Sequence, residues 1–192
     1  MKVFDFDNTL YDGETLVDFF YYLCDKKEEL KKYKNLVSFL LNLYEKNLLP
    51  MSLVRKVVNK HKNDFNFNLN NKDKYINEFW ELHKHKLNKD LINTINKDDV
   101  IITATIDVLL NPIKKELKTK NILCSKTNIE TKEIEFMCYK ENKVIKYKEI
   151  YKDTPIDVLY TDSYADKPLM DISKKVILID KKTKEMKVIK GE

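Results

Sequence analysis

The chain has 192 residues, of which 43% are hydrophobic, so it can bury one core with a smaller attached module but hardly two large domains. Its net charge at pH 7 is +5, yet lysines and acids alternate along most of the sequence, which argues against nucleic-acid binding. No run approaches the roughly 18 consecutive apolar residues that span a bilayer, and no leader peptide is apparent, so we expect a cytoplasmic protein without a membrane partner.

The first predicted elements are a short strand and two helices. Residues 2–7 form an apolar run that ends in polar groups, which predicts a buried strand. From Glu14 onward, apolar residues recur at helical spacing, first over residues 16–23 and then over residues 30–44. We therefore expect two successive amphipathic helices after the strand.

Two more helices complete this helical segment. Apolar spacing over residues 53–58 and again over residues 75–82 predicts a third and a fourth helix. The Asn-rich stretch from Asn63 to Asn71 is typical of the loop between them. Residues 14–96 are thus predicted to form a helical bundle.

After this bundle, short apolar runs alternate with helical segments. Residues 100–104 read VIITA and predict a strand, and a helix is expected from about Ile106 to Leu117. The alternation then continues with a strand at residues 122–125, a strand or hairpin at 129–136, a helix at 142–151, a strand at 157–161, a helix at 164–172 and a strand at 175–180.

Repeated strand–helix units predict an α/β fold, in which helices cover both faces of a parallel sheet. The helical bundle interrupts this fold after its first strand. We therefore divide the chain into an α/β core, formed by residues 1–13 and 97–192, and a helical insertion, formed by residues 14–96.

Two acids, Asp5 and Asp7, follow the first predicted strand in the sequence VFDFDNT. Ligands of parallel sheets bind at the carboxyl ends of the strands, where these two carboxylates would lie. Two carboxylates about 4 Å apart repel by roughly 4 kcal/mol at an effective dielectric of about 20, so the pair favours a bound cation or a retained proton. The same residue types also suit a turn with a helix N-cap, because Asp, Asn and Thr are common in both.

Three further groups of polar residues follow predicted strands or begin predicted helices. Thr103 ends the second strand, where a hydroxyl and nearby amides can face an anion, although it also suits a helix cap. Lys143 begins a predicted helix, where a lysine is ordinarily solvated. Asp162 and Asp166 follow another apolar strand, so acids again gather where a strand meets the ligand side of the sheet.

Together these residues resemble the motifs of the haloacid dehalogenase superfamily of phosphohydrolases. Four matches carry the resemblance, namely Asp5-Phe6-Asp7-Asn8-Thr9 with its D-x-D-x-T motif, Ile101-Ile102-Thr103 with its second motif, Lys143 with its third, and Asp162-Ser163 with Asp166 with its fourth. The resemblance covers nearly the whole chain, and the sequence YTDSYADKPLM looks like the branch that contains phosphoserine phosphatase. It implies a Rossmann-like core and makes the helical insertion a cap.

The resemblance also implies roles for the acids. Asp5 would be the nucleophile that takes the phosphoryl group as an aspartyl-phosphate, and Asp7 would be the general acid and base. Mg²⁺ would be held by Asp5, the backbone carbonyl of Asp7 and Asp162, with support from Asp166. An acid at position 7 favours a phosphatase over a true dehalogenase.

The phosphoryl oxygens would be bound by Thr103 and Lys143. Thr103 stands where serine is commoner in the family, and Asn8 stands where glycine is commoner. The glycine that often precedes the motif lysine is missing, so Lys140 and Lys146 remain alternatives. We prefer Lys143 because it directly begins the amphipathic helix.

The implied function is that of a Mg²⁺-dependent phosphatase that acts on a small phosphorylated metabolite. Phosphotransfer to a non-water acceptor and a non-catalytic phosphate-binding or regulatory module are the alternatives, with nucleic-acid binding more distant. The physiological substrate and the oligomeric state stay open.

The three cysteines, Cys24, Cys124 and Cys138, form no C-x-x-C pattern and are odd in number. This spacing argues against both a disulfide framework and a zinc site. We expect reduced and mostly buried thiols.

Overall fold

A computed structural model of the chain describes residues 1–45, 48–49, 72–128, 130 and 134–191. These residues fall into two compact units, one formed by Met1–Leu16 with Trp80–Glu192 and one formed by Val17–Phe79. The predicted third helix and the Asn-rich loop lie outside the described residues. The insertion at residues 14–96 therefore stays a prediction.

The unit that holds both ends of the chain is built on a seven-stranded sheet. Its strands are β1 (Lys2–Phe4), β2 (Val100–Ile106), β3 (Ile122–Thr127), β4 (Ile134–Phe136), β5 (Ile156–Thr161), β6 (Ser173–Ile179) and β7 (Met186–Lys190). They lie in the order β4-β3-β2-β1-β5-β6-β7. Strand β4 is antiparallel to β3 and β7 is antiparallel to β6, whereas the other described neighbours pair in parallel. The predicted α/β class with a largely parallel sheet is confirmed.

Strand β1 lies at the point where the strand order reverses. It pairs with β2 on one side and with β5 on the other, so that Phe4 stands opposite both Ile101 and Tyr160. In open α/β sheets, ligands bind outside the carboxyl ends of the strands at such a point. Asp5, the first residue after β1, is therefore at the position where this fold class binds ligands.

The described helices are α1 (Thr15–Lys26), α2 (Glu28–Glu45), α3 (Lys72–His83), α4 (Lys89–Asn93), α5 (Asp107–Leu110), α6 (Glu141–Tyr151) and α7 (Lys167–Ile172). Short 3₁₀ turns lie at Lys84–Lys86, Asn111–Ile113 and Tyr164–Asp166. The predicted helix from Ile106 to Leu117 is shortened at both ends. β2 continues through Ile106, and Pro112, which lacks an amide hydrogen, falls in the 3₁₀ turn that follows α5.

Apolar side chains of the strands form the core of this unit, with neighbouring residues of a strand on opposite faces of the sheet. Val3 belongs to a buried cluster with residues of other strands and of α6 and α7, whereas the neighbouring Phe4 stacks on Tyr160 with ring centroids 4.7 Å apart. Trp80 is buried and its indole N–H donates to the carbonyl of Leu109 at 2.6 Å. The indole is thus both packed and hydrogen-bonded, as buried tryptophans usually are.

Where it is described, the second unit, Val17–Phe79, consists mainly of residues of α1, α2 and α3. Its apolar contacts include edge-on packing of Phe19 against Phe79, with ring centroids 5.2 Å apart, and its polar contacts include a hydrogen bond from the Tyr22 hydroxyl to Glu78 at 2.8 Å. Across the part of the chain that the structure describes, no helix is both long and apolar enough to cross a membrane.

The three cysteines are free and buried. Burial raises the pKa of each thiol, and it raises that of Cys138 to about 12. The thiolate is the reactive form of cysteine, so we predict that a disulfide reagent at about pH 8 titrates almost no thiol in the native protein. In denaturing urea all three thiols should react, and rapid labelling of the native protein would contradict the burial described above.

Candidate active site

The Lys143 ammonium lies between two buried carboxylates. Its Nζ is 2.9 Å from Asp5 Oδ1 and 2.7 Å from Asp166 Oδ1, and the side chains of all three residues are at most 10% exposed. The hydroxyl of Thr161 also donates to Asp166 at 2.8 Å. The end of β1, the end of β5 and the first turn of α6 therefore meet in one cluster of charges.

The structure separates the three lysines that the sequence left open. Lys143 and Tyr147 stand four residues apart on one face of α6, and both are buried. Lys146 falls on another face, where it pairs with the exposed Glu149 at 2.9 Å. Lys140 precedes the helix, with its ammonium over the ring of Tyr139. Lys143 is thus the lysine that contacts Asp5.

The charges in this cluster do not balance. Burial disfavours the Lys143 ammonium, but the charges of Asp5 and Asp166 outweigh it and raise the pKa of Lys143. Burial also raises the pKa of Asp5 well above its usual value. The charge of Lys143 opposes this shift, whereas the charges of Asp166 and Asp162 add to it. One lysine does not neutralise both Asp5 and Asp166, so the cluster of these three residues holds excess negative charge.

Asp7 is held by two threonines from different elements. Its Oδ1 accepts hydrogen bonds from the amide of Thr15, at 2.8 Å, and from the Thr15 hydroxyl, while its Oδ2 accepts from the hydroxyl of Thr105 at 2.6 Å. Burial raises the pKa of Asp7, although the hydrogen bonds from Thr105 and Thr15 oppose the shift. The carboxyl group is therefore fixed in orientation and favours the protonated form more than an exposed aspartate does.

The loop after β1 turns sharply at Asn8, whose φ is 57°. This left-handed conformation is open to glycine and is adopted by asparagine more readily than by most other residues, which explains how Asn8 fits where the family more often has glycine. The side-chain amide of Asn8 donates to Glu14 at 2.7 Å, and the backbone N–H of Asn8 donates to the carbonyl of Gly13. The turn brings Glu14 back towards the acids.

Asp162, directly after β5, has a side chain that is only 4% exposed and lies 3.1 Å from the ammonium of Lys181. Lys181 also lies 3.6 Å from Glu14. Partial burial and the charge of Asp7 raise the pKa of Glu14 to about 7, while Lys181 opposes the shift. Solvent moderates these interactions, because 53% of the Glu14 side chain is exposed.

Thr103 is fully buried on β2. It stands two residues after Ile101, which pairs with Phe4, and this register places it beside the loop that carries Asp5 and Asp7. Its hydroxyl accepts a hydrogen bond from the amide of Thr105 at 3.0 Å. Thr103 thus borders the same region as the predicted acids.

The oxygen donors of this region suit one kind of Mg²⁺ site. Within the described ranges, no three His, Cys, Asp or Glu side chains form a group that could hold a metal ion by themselves. Mg²⁺, however, is usually bound by one or two carboxylates and keeps waters or substrate oxygens as its other ligands. Asp5 and Asp162 follow neighbouring strands and interact electrostatically, so they fit such an open site.

Several residues of this region were not predicted from the sequence. Thr105 was missed because the predicted strand ended at residue 104, whereas β2 continues through Ile106 with irregular pairing after Thr103. Thr15 and Thr161 each adjoin a residue that was considered, but neither spacing nor composition indicated their hydrogen bonds. Lys181 lies in a lysine-rich turn and carried no signal at all.

A family model described as haloacid dehalogenase-like hydrolase matches residues 3–171 of this chain. This match confirms the resemblance found in the motifs. Among curated proteins, none matches the sequence.

Solved structures with the same fold cover nearly the whole chain. A protein of unknown function from Bordetella pertussis Tohama I has a TM-score of 0.73 at 14% identity, over 93% of this chain and 89% of that one. A phosphoserine phosphohydrolase-like protein from Francisella tularensis subsp. tularensis SCHU S4 has a TM-score of 0.60 at 19% identity, over 94% and 88%. A phosphoserine phosphatase, solved as a phospho-aspartyl intermediate analogue, has a TM-score of 0.51 at 15% identity, over 92% and 84%.

The lysine between the two acids yields a prediction about stability. Replacing Lys143 by Met leaves Asp5 and Asp166 buried without their counter-ion, and removing one partner of a buried ion pair costs about 3–5 kcal/mol. We expect urea unfolding to show a loss of this order. The control is Lys146→Met, which removes an exposed pair with Glu149 and should change the free energy of unfolding by about 0.5 kcal/mol or less. Equal losses in both variants would contradict the arrangement.

Proposed function

The chain belongs to the haloacid dehalogenase-like hydrolases, and we propose that it is a Mg²⁺-dependent phosphatase that hydrolyses a small phosphomonoester through an aspartyl-phosphate. The observation that carries this proposal is the contact of Lys143 with Asp5 at the carboxyl end of the central strand. An anionic nucleophile beside a buried cation suits a reaction in which a phosphoryl group is transferred to the protein.

In the first step, a carboxylate oxygen of Asp5 attacks phosphorus and the bond from phosphorus to the ester oxygen breaks. Lys143 binds phosphoryl oxygens and offsets the charge that gathers on them, and Thr103 supplies a hydroxyl beside the same loop. The leaving alcohol takes its proton from Asp7. The products of this step are the free alcohol and a phosphorylated Asp5.

In the second step, water attacks the phosphorus of the aspartyl-phosphate, Asp7 accepts the proton of that water, and inorganic phosphate leaves with Asp5 restored. The raised pKa of Asp7 supports the first half of this role, because the group must hold a proton before it can donate one. The hydrogen bonds from Thr15 and Thr105 support the second half, because they keep the carboxyl group oriented once it is ionised.

We include Mg²⁺ in this proposal because the site offers oxygen donors. Asp5, the backbone carbonyl of Asp7 and Asp162 would hold it, with Asp166 in support. When bound, the ion supplies positive charge that reduces the repulsion between an anionic nucleophile and an anionic phosphate.

The solved structures that share this fold bear on the class of substrate. The similar structures include a phosphoserine phosphatase and a phosphoserine phosphohydrolase-like protein, but identities of 15% and 19% carry the fold alone. We therefore propose a small phosphorylated metabolite, with no nucleic-acid or membrane partner. A cytoplasmic location would keep the free cysteines reduced.

A panel of small phosphomonoesters tests the function directly. We expect release of inorganic phosphate from at least one member, loss of that release with a chelator, and its recovery when Mg²⁺ is added back. Asp5→Asn should lower kcat roughly a thousandfold or more, because it removes the nucleophile. The control Asp171→Asn, in an exposed pair with Lys167, should keep wild-type activity.

Two results of this assay would contradict the proposal, namely turnover without metal and full activity of Asp5→Asn. A phosphorylated alcohol as the product, in place of inorganic phosphate, would indicate phosphotransfer to an acceptor other than water. Binding of a phosphate analogue without turnover of any panel member would instead indicate a regulatory module.

The contact between Thr105 and Asp7 yields a further prediction. Thr105→Val keeps the shape of the side chain but removes the donor to Asp7 Oδ2, so we expect kcat to fall about tenfold with a smaller change in KM. Thr127→Val is the matched control, since it removes a similar hydrogen bond, to Asp107 at 2.8 Å, that involves none of the site acids. Equal effects of the two substitutions would show that Thr105 has no special role.

A further inference from the structure

Lys181 lies against the acid that follows β5, although it comes from a turn on another part of the chain. Its ammonium is 3.1 Å from Asp162 and 3.6 Å from Glu14, whereas 51% of its own side chain is exposed. The turn follows β6, the strand next to β5 in the sheet. Lys181 is thus a half-exposed cation between a nearly buried acid and a more exposed one.

This position differs from that of the other lysine in the site. Lys143 is buried and is held by Asp5 and Asp166 together. The ammonium of Lys181 stands at the end of a long, partly solvated side chain. A second acid, Glu14, is within reach of this ammonium when the ammonium moves away from Asp162. A lysine ammonium is a compact charge on a flexible stem, which suits a contact that forms and breaks.

The carboxylate of Asp162 can attract either Lys181 or a divalent cation. Mg²⁺ binds carboxylate oxygens at about 2.0–2.1 Å and with little tolerance of geometry, so it favours a carboxylate that is not also held by an ammonium. An ammonium close to a bound ion would also be repelled by its charge. Metal binding at Asp162 and the contact between Asp162 and Lys181 therefore oppose each other.

We propose that Lys181 is a positioning residue that acts as a competing counter-ion of Asp162: it holds that carboxylate in the metal-free protein and moves towards Glu14 when Mg²⁺ binds. This inference rests on the proposed function, because it takes Asp162 to be a Mg²⁺ ligand. It assigns to Lys181 a role that the four sequence motifs do not include. The consequence is that the wild-type chain binds Mg²⁺ more weakly than its acids alone would allow.

The test is calorimetric titration of Mg²⁺ alone into the full-length protein and its variants, without substrate. Lys181→Met should bind Mg²⁺ about three- to tenfold more tightly than wild type, the range expected when a partly exposed ion pair no longer competes. Lys181→Arg retains the charge and should stay close to wild type. The rise in Tm on adding Mg²⁺ should likewise be larger for Lys181→Met.

The matched control is Lys182→Met, which removes the same charge from the same turn. The charge of Lys182 acts on Asp180, so this variant should bind Mg²⁺ as wild type does. An equal gain in Lys181→Met and Lys182→Met would show a general effect of net charge and would overturn the proposal. Unchanged or weaker binding by Lys181→Met would overturn it as well.

These outcomes can be told apart from failure of the proposed function. Tighter binding by Lys181→Met together with no phosphatase activity on the substrate panel would support the role of Lys181 and remove the phosphatase. Phosphatase activity with equal Mg²⁺ affinities would retain the phosphatase and remove the role of Lys181. If neither wild type nor any variant binds Mg²⁺, both proposals fail.

Discussion

The electrostatic balance of the site depends on one ammonium, that of Lys143, placed between Asp5 and Asp166. A buried carboxylate is costly unless it is paired, and a single lysine shared by two acids leaves the cluster short of positive charge. A site of this kind attracts cations and holds protons. Both tendencies would suit the proposed transfer of an anionic phosphoryl group.

The parallel sheet is what brings these charges together. Asp5 and Asp162 are far apart in the chain, but β1 and β5 are neighbours in register, so the residues that follow them emerge side by side. Because β2 and β5 lie on opposite sides of β1, the crevice opens at the end of the central strand. The third charge, Lys143, arrives on a helix whose buried face points at the sheet.

Around this cluster, hydrogen bonds from threonines fix the acids. Thr15 and Thr105 hold the two oxygens of Asp7, and Thr161 holds one oxygen of Asp166. Hydroxyl groups can donate to a carboxylate and can also turn to accept from a protonated acid, so they suit groups that gain and lose protons. On the β5 side, the nearly buried Asp162 pairs instead with Lys181, whose side chain is half exposed.

The amino-acid sequence by itself determined the α/β class, most strands, and the acids at their ends, because apolar runs and the polar residues that bound them are local patterns. It did not show β7, whose Met186 and Val188 are exposed and so lack the mark of a core strand. Only the tertiary structure decided which lysine meets Asp5, since Lys140, Lys143 and Lys146 share one local chemistry and differ in the direction that packing of α6 gives them. It also decided the partners of Asp7 and Asp162, because a hydrogen bond or ion pair between distant segments depends on register and turns that no local pattern encodes.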